Sequence, residues 1–188
     1  DRKIVDKVSF QSGDKDFQAT LSKIKGEDFD AIVMPGYYNE TGLITKQARE
    51  LGIEQPILGG DGFADPTFIT LAGDAAATNV YYVSGYSAKA LATDTTTKFI
   101  AAYQAKYKSE PSMFDALSYD AVYMVKQAAE DTKAKTSVAV KDGLAKLKNF
   151  KGATGEITVD KDHNPVKEAV VIKLENGKET SATLVKPN

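Results

Sequence analysis

Residues 30–63 read DAIVMPGYYNETGLITKQARELGIEQPILGGDGF, and the alternation inside this stretch decides the fold class. A short apolar run at 31–34 leads into glycine and two tyrosines. A stripe of Leu43/Ile44, Ala48 and Leu51 at helical spacing follows, with Gly52 placed as a C-terminal stop. A second apolar run at 56–58 then ends in Gly59-Gly60. The pattern is strand, helix, strand. Working outward, similar β-branched or aromatic runs lie at 4–10 and 80–83, so four runs recur about 25 residues apart, the rhythm of β/α units. Phe17, Leu21 and Ile24 mark a helix between the first two runs, and Asp65-Pro66 ahead of Phe68, Ile69 and Leu71 reads as an N-cap with proline at the first helical position. Strands joined by helices of this length run parallel with right-handed crossovers. The sequence predicts an α/β fold in which the runs at 4–10, 31–34, 56–58 and 80–83 form one parallel sheet flanked by helices.

After Tyr86 the rhythm breaks. Residues 94–108 and 112–132 carry two longer helical patterns, the second with a stripe at Phe114, Leu117, Ala121, Val125 and Ala128, and Val140, Leu144 and Leu147 suggest a third. No strand candidates lie between these helices for them to cover, so they are expected to belong to a different sheet. Strand patterns return at 155–159 and 169–174, and Glu175-Asn176-Gly177-Lys178 reads as a hairpin turn into 181–185.

Composition removes several function classes. The 188 residues are 42% apolar and 27% charged, a globular profile, and no apolar run exceeds five residues, as at 99–103 and 121–125. Twenty-four Lys+Arg against 26 Asp+Glu leave a formal charge of −2, so nothing in the charge balance points to nucleic acid or to an anionic membrane surface. Without cysteine there is no disulfide, no thiolate catalysis and no cysteine-rich zinc site. The chain opens at Asp1 rather than at methionine, which fits either a removed targeting segment or an internal piece of a longer chain.

The catalytic motifs fail in turn. Gly59-Gly60-Asp61-Gly62 lacks the third glycine of a dinucleotide loop, since Asp65 stands there, and no GxxxxGK phosphate loop exists. His163 sits in a polar turn, and the calcium-loop-like stretch from Asp160 has Pro165 where the glycine is needed and Val171 where the bidentate glutamate belongs. Asn39-Glu40-Thr41 matches a glycosylation sequon, but Asn39 is better explained as a helix cap. The expectation is no catalytic residue, no metal and no cofactor.

A binding function remains, and in open parallel sheets ligands sit at the carboxyl ends of the strands. The loops expected there are 36–40, 59–63 and 84–87, each combining glycine, an aromatic and a polar group. Asp61, flanked by glycines, either receives a ligand ammonium group or caps its own turn. Tyr37 either offers its ring and hydroxyl to a ligand or packs at a strand end. Tyr86 is a hinge residue, a ligand wall or, more simply, a packing residue.

Together, Asp16-Phe17-Gln18-Ala19 with Leu21 and Ile24, Asp30-Ala31-Ile32-Val33 running into Gly36-Tyr37-Tyr38, the Gln47-Ala48-Arg49-Glu50-Leu51-Gly52 stretch, Gly59-Gly60-Asp61-Gly62, Tyr119-Asp120-Ala121, and residues 152–155 before the hairpin resemble one family. It is the periplasmic binding protein type I family, in particular the substrate-binding proteins of branched-chain amino acid ABC transporters. The resemblance runs in order along essentially the whole chain. It implies a two-lobed protein of roughly twice this length, of which this chain is the C-terminal half. Residues 1–86 and 165–188 would be second-lobe α/β structure, incomplete at its N-terminus, and 87–164 a mostly helical first-lobe segment. Tyr37 would line the cleft and Asp61, where many relatives carry glutamate, would receive the α-ammonium of the ligand. Phe114 would wall the aliphatic side chain, and Tyr86, where the β/α rhythm stops, is the hinge candidate. The implied activity is extracytoplasmic capture of leucine, isoleucine or valine for a membrane permease, without chemistry or nucleic acid. The alternative is a ligand-sensing domain of a receptor or regulator with the same fold. The stripes at Phe99, Tyr103, Phe114, Leu117 and Val125 would lack their sheet, and self-association is expected to cover them.

Overall fold

The structure is a computed structural model that describes residues 3–90 and 93–187. The chain forms two compact units, one of residues 1–84 with 171–182 and one of residues 85–170 with 183–188.

In the first unit, the β/α alternation read from residues 30–63 is present as α1 (Gln18–Lys25), β1 (Ile32–Met34), α2 (Tyr38–Glu50), β2 (Ile57–Gly59), a 3-10 turn (Asp61–Phe63), α3 (Pro66–Ala72) and β3 (Val80–Ser84). β1 and β2 pair in parallel from Ile32↔Ile57 to Met34↔Gly59, and β2 and β3 pair in parallel from Ile57↔Val80 to Gly59↔Tyr82. A hairpin of β7 (Ala169–Glu175) and β8 (Lys178–Val185) extends the sheet to the order β1-β2-β3-β7-β8. Its turn residues Asn176 and Gly177 have φ of 49° and 68°, as a two-residue hairpin turn of the primed type requires. Asp65 accepts the Thr67 amide at 2.8 Å ahead of Pro66, the cap that the sequence predicted. α2 and α3 pack backbone to backbone: a β-carbon on Gly42 would lie 2.9 Å from the Phe68 carbonyl oxygen. Ile44, Ala48, Ile57, Phe68, Val80, Ile172 and Leu174 are buried in this core.

The amino edge of the sheet is tied by polar contacts. The Arg49 guanidinium donates to the carbonyls of Ile53, Gln55 and Thr78, and Asn79 donates its side-chain amide to Glu54 O and its backbone amide to Glu175. Burial lowers the Arg49 pKa from its ordinary value. The carboxyl edge is left to the loops that carry the candidate residues.

The strand expected at 4–10 does not form. Residues 3–9 are exposed, take no regular secondary structure and join no ladder. A strand exists only through its ladder partner, and β1 ends the sheet on this side with none of these residues hydrogen-bonded to it.

The second unit contains α4 (Asp94–Tyr107), α5 (Met113–Thr132), α6 (Ser137–Leu144), β4 (Phe150–Gly152), β5 (Gly155–Val159) and β6 (Pro165–Val166). The three strands form an antiparallel sheet in sequence order. β4 and β6, three and two residues long, were not visible in the sequence. The third helix lies nearer the N-terminus than its apolar pattern predicted, with buried Leu147 beyond its end. Within this unit Phe99 is already covered, its ring against those of Tyr86 and Tyr119, so it does not need outside cover, whereas Val122 and Val125 on α5 are exposed. No helix among the described residues is long and apolar enough to cross a membrane.

Candidate functional site

The site is built at the carboxyl ends of β1 and β2, where two glycines decide how closely the loops approach. After β1, a β-carbon on Gly36 would lie 2.9 Å from both Phe10 Cζ and Thr41 Cγ2, so the bare backbone lets Phe10 seat against the first turn of α2. Tyr37 follows as the extended N-cap residue of α2, its carbonyl accepting both the amide (3.1 Å) and the hydroxyl (2.9 Å) of Thr41. The Tyr37 side chain is 65% exposed. Asn39, read as the helix cap, instead lies within the first turn.

After β2, Asp61 opens the 3-10 turn with an exposed side chain. Gly59 gives room for the buried Phe63 ring, whose atoms would come within 2.7 Å of a β-carbon there, and that ring stacks on Phe68 at 4.7 Å. Gly62 lies against the other loop: its β-carbon would be 2.3 Å from Gly36 O and 3.1 Å from Tyr37 Cα. This contact brings Tyr37 and Asp61 to one stretch of the sheet edge. The glycines here serve close backbone packing. A carboxylate and an aromatic ring on two loops in contact, both open to solvent, suit an ammonium-bearing ligand with an apolar portion.

The remaining candidates belong to the second unit. Tyr86 is 4% exposed and packs edge-on to Phe99, with centroids 6.5 Å apart. Just before it, where the chain passes from one unit to the other, Gly85 donates its amide to Met113 Sδ (3.1 Å) and accepts from the Lys167 ammonium (2.6 Å). Burial pushes the Lys167 pKa down, against the upward pull of Asp120 and Glu168. Phe114 is half-buried in the first turn of α5.

Two important carboxylates escaped the sequence reading. Glu40, 7% exposed, accepts the Gly13 amide at 2.8 Å and the Ser12 hydroxyl at 3.4 Å, clipping the chain before α1 to the start of α2. Asp120, 1% exposed, accepts the amides of Ala153 (2.6 Å) and Thr154 (2.8 Å) and the Thr154 hydroxyl (2.7 Å). A β-carbon on Gly152 would meet Asp120 Oδ2 at 2.4 Å. The stretches around Tyr119-Asp120-Ala121 and 152–155 are thus two halves of a buried latch between α5 and the β4–β5 hairpin. The sequence signal was that both stretches carried the family resemblance, with nothing to join them to each other.

The family described as periplasmic binding protein matches residues 1–179. The chain is 31% identical over 153 residues to the Leu/Ile/Val-binding protein BraC3 of Rhizobium johnstonii, covering 78% of this chain and 39% of that protein. Among solved structures it is similar to the branched-chain amino acid transporter substrate-binding protein LivJ of Streptococcus pneumoniae in complex with isoleucine. Identity there is 50% and the TM-score 0.87, over 95% of this chain and 51% of that one. The leucine-binding protein LivK of Thermotoga maritima gives 36% identity and a TM-score of 0.89, over 96% and 51%. The chain therefore spans about half of these solved chains and a smaller share of the curated relative. With the family matching residues 1–179 and the same helix-flanked, parallel-rich sheet found in LivJ and LivK, the chain belongs to the periplasmic binding protein family.

Proposed function

We propose that the whole protein is the extracytoplasmic substrate-binding component of an ABC importer, which captures a branched-chain amino acid between two lobes and delivers it to a membrane permease. In this reading residues 1–86 and 165–188 belong to one lobe and residues 87–164 to the other, and the chain carries part of the site. The Asp61 carboxylate receives the ligand ammonium group, the Tyr37 ring covers it, Phe114 walls the aliphatic side chain, and Tyr86 lies at the hinge. Function is binding and closure, which excludes water from the charge pair and strengthens it. No bond is made or broken, and no cofactor takes part.

The observation that supports this reading is the Gly62–Gly36 contact, which packs the loop of Asp61 against the loop of Tyr37, in a chain half identical to an isoleucine-bound relative. Titration calorimetry of the whole protein with isoleucine, leucine and valine tests it. Asp61→Ala is expected to weaken binding by about 1.5–3 kcal/mol, the worth of a charge-assisted contact, and Asp61→Glu to weaken it less. Absence of heat with all three amino acids, or an unchanged affinity for the alanine variant, would count against it.

A further inference from the structure

The chain passes between its two units at 84/85, 170/171 and 182/183. The first two passages belong to neighbouring strands, since β3 and β7 lie side by side in the order β1-β2-β3-β7-β8. Within the sheet, main-chain hydrogen bonds hold the two strands together. Past the end of β3 at Ser84 and before the start of β7 at Ala169, that ladder stops: residues 85–87 and 167–168 belong to no strand.

A side chain does there what the ladder does in the sheet. Lys167 Nζ donates to Gly85 O at 2.6 Å and to Glu168 O at 2.9 Å, so one ammonium joins the main chain of the first passage to that of the second. An ammonium suits this task, with three donors and no acceptor. Both segments are also held to the helices of the second unit. Gly85 N donates to Met113 Sδ on α5 at 3.1 Å, Tyr86 packs edge-on against Phe99 of α4, and Asp120 of α5 attracts the Lys167 charge. Among the described residues, the hydrogen bonds of Lys167 go to these two carbonyls and to no carboxylate. A half-buried ammonium without an ion pair is costly to keep, and what it secures here is the spacing of two main-chain segments. The junctions between ladder and tie are Ser84–Gly85 and Glu168–Ala169, element ends of the kind at which hinges absorb a change of backbone torsion.

We propose that Lys167 is the positioning residue of the hinge: it makes residues 85 and 167–168 one body with the second unit, so that the two units turn about the Ser84–Gly85 and Glu168–Ala169 junctions and not deeper in the second unit. Without the tie the two segments can part, the ligand-free protein samples more arrangements, and closure has more freedom to give up. That the turning closes the protein over an amino acid rests on the whole-protein reading proposed above, and the tie does not.

Small-angle scattering and isoleucine calorimetry on the whole protein, wild type and Lys167→Met, test the proposal. Methionine keeps an unbranched apolar stem and removes the donor. Without isoleucine the variant should have a larger radius of gyration than wild type, with isoleucine the two should coincide, and isoleucine should bind the variant about tenfold more weakly. A role confined to stability would lower the midpoint of urea unfolding and move neither scattering nor affinity, and that result overturns the proposal. Ligand-free scattering that matches wild type overturns it whatever the affinity. If Lys167→Met does not fold, Lys167→Gln, uncharged and one atom shorter, is read in the same way. Wild-type protein that gives no isoleucine heat sinks the proposed function and leaves ligand-free scattering to decide the tie, whereas wild-type heat with no difference in the variant sinks the tie and leaves the function.

Discussion

Gly62 and Gly60 flank Asp61 and differ in what a methyl group would meet: at Gly62 the Gly36 carbonyl at 2.3 Å, at Gly60 nothing within 4 Å. Gly62→Ala must part the two loops, and is expected to cost about 1–3 kcal/mol of stability in urea unfolding and to weaken isoleucine binding in the whole protein. Gly60→Ala should do neither, and equal effects from the two would show that the loop contact does not position the site. Asp120→Ala leaves two buried amides and a hydroxyl without their acceptor, and should cost about 3 kcal/mol by the same measurement; Thr154→Ala, which removes one donor, should cost about 1 kcal/mol. Lys167 is a half-buried cation whose pKa is lowered chiefly by desolvation. Its folded pKa lies below the unfolded value of about 10.4, so between those two values the unfolded chain binds more protons and stability rises with pH. The stability of wild type relative to Lys167→Met should therefore increase across the alkaline window just below 10.4, and a difference that is flat or falls there would contradict the desolvation of this ammonium.

Among the elements, α5 shows what short-range chemistry secures. Ser112 and Asp115 form a reciprocal capping box, with Ser112 N donating to Asp115 Oδ2 at 2.8 Å and Asp115 N to Ser112 Oγ at 3.3 Å. Ser112→Ala should cost about 1 kcal/mol in thermal or urea unfolding, and Ser112→Asn less than half of that. This helix was legible because its apolar stripe lies within its own sequence; the cap is a finding of the structure. The run at 4–10 has as strong a strand pattern and forms no strand, since a strand draws its stability from a neighbour that the pattern does not contain. β4 and β6 show the converse: each is too short to read, and each exists because β5 pairs with both.

For the molecule as a whole, a zwitterionic amino acid must be held at both ends, and binding affinity depends on the completeness of the site more than on its area. Asp61 supplies a partner for one end. The chain covers 51% of isoleucine-bound LivJ, so in the proposed reading the carboxylate partner lies outside it. Isoleucine should then bind this chain at least about a hundredfold more weakly than the whole protein, a loss of about 2.7 kcal/mol. Calorimetry on the two side by side checks this, and equal affinity would place the complete site within these 188 residues.

The sequence by itself determined the α/β alternation of residues 30–63, the cap at Asp65, the Asn176-Gly177 hairpin and the break in rhythm after Tyr86. Each is written in spacing and turn chemistry that act over one or two turns of chain. It also placed Tyr37 and Asp61 after strands, where topology puts ligands, but not beside each other. Their juxtaposition, the Glu40 clip and the Asp120 latch were decided by tertiary structure, because their partners lie far along the chain: 27 positions from Glu40 to Gly13 and 34 from Asp120 to Thr154. Buried polar groups and edge strands take their partners from whatever the fold brings alongside, and no local period records which residue that will be.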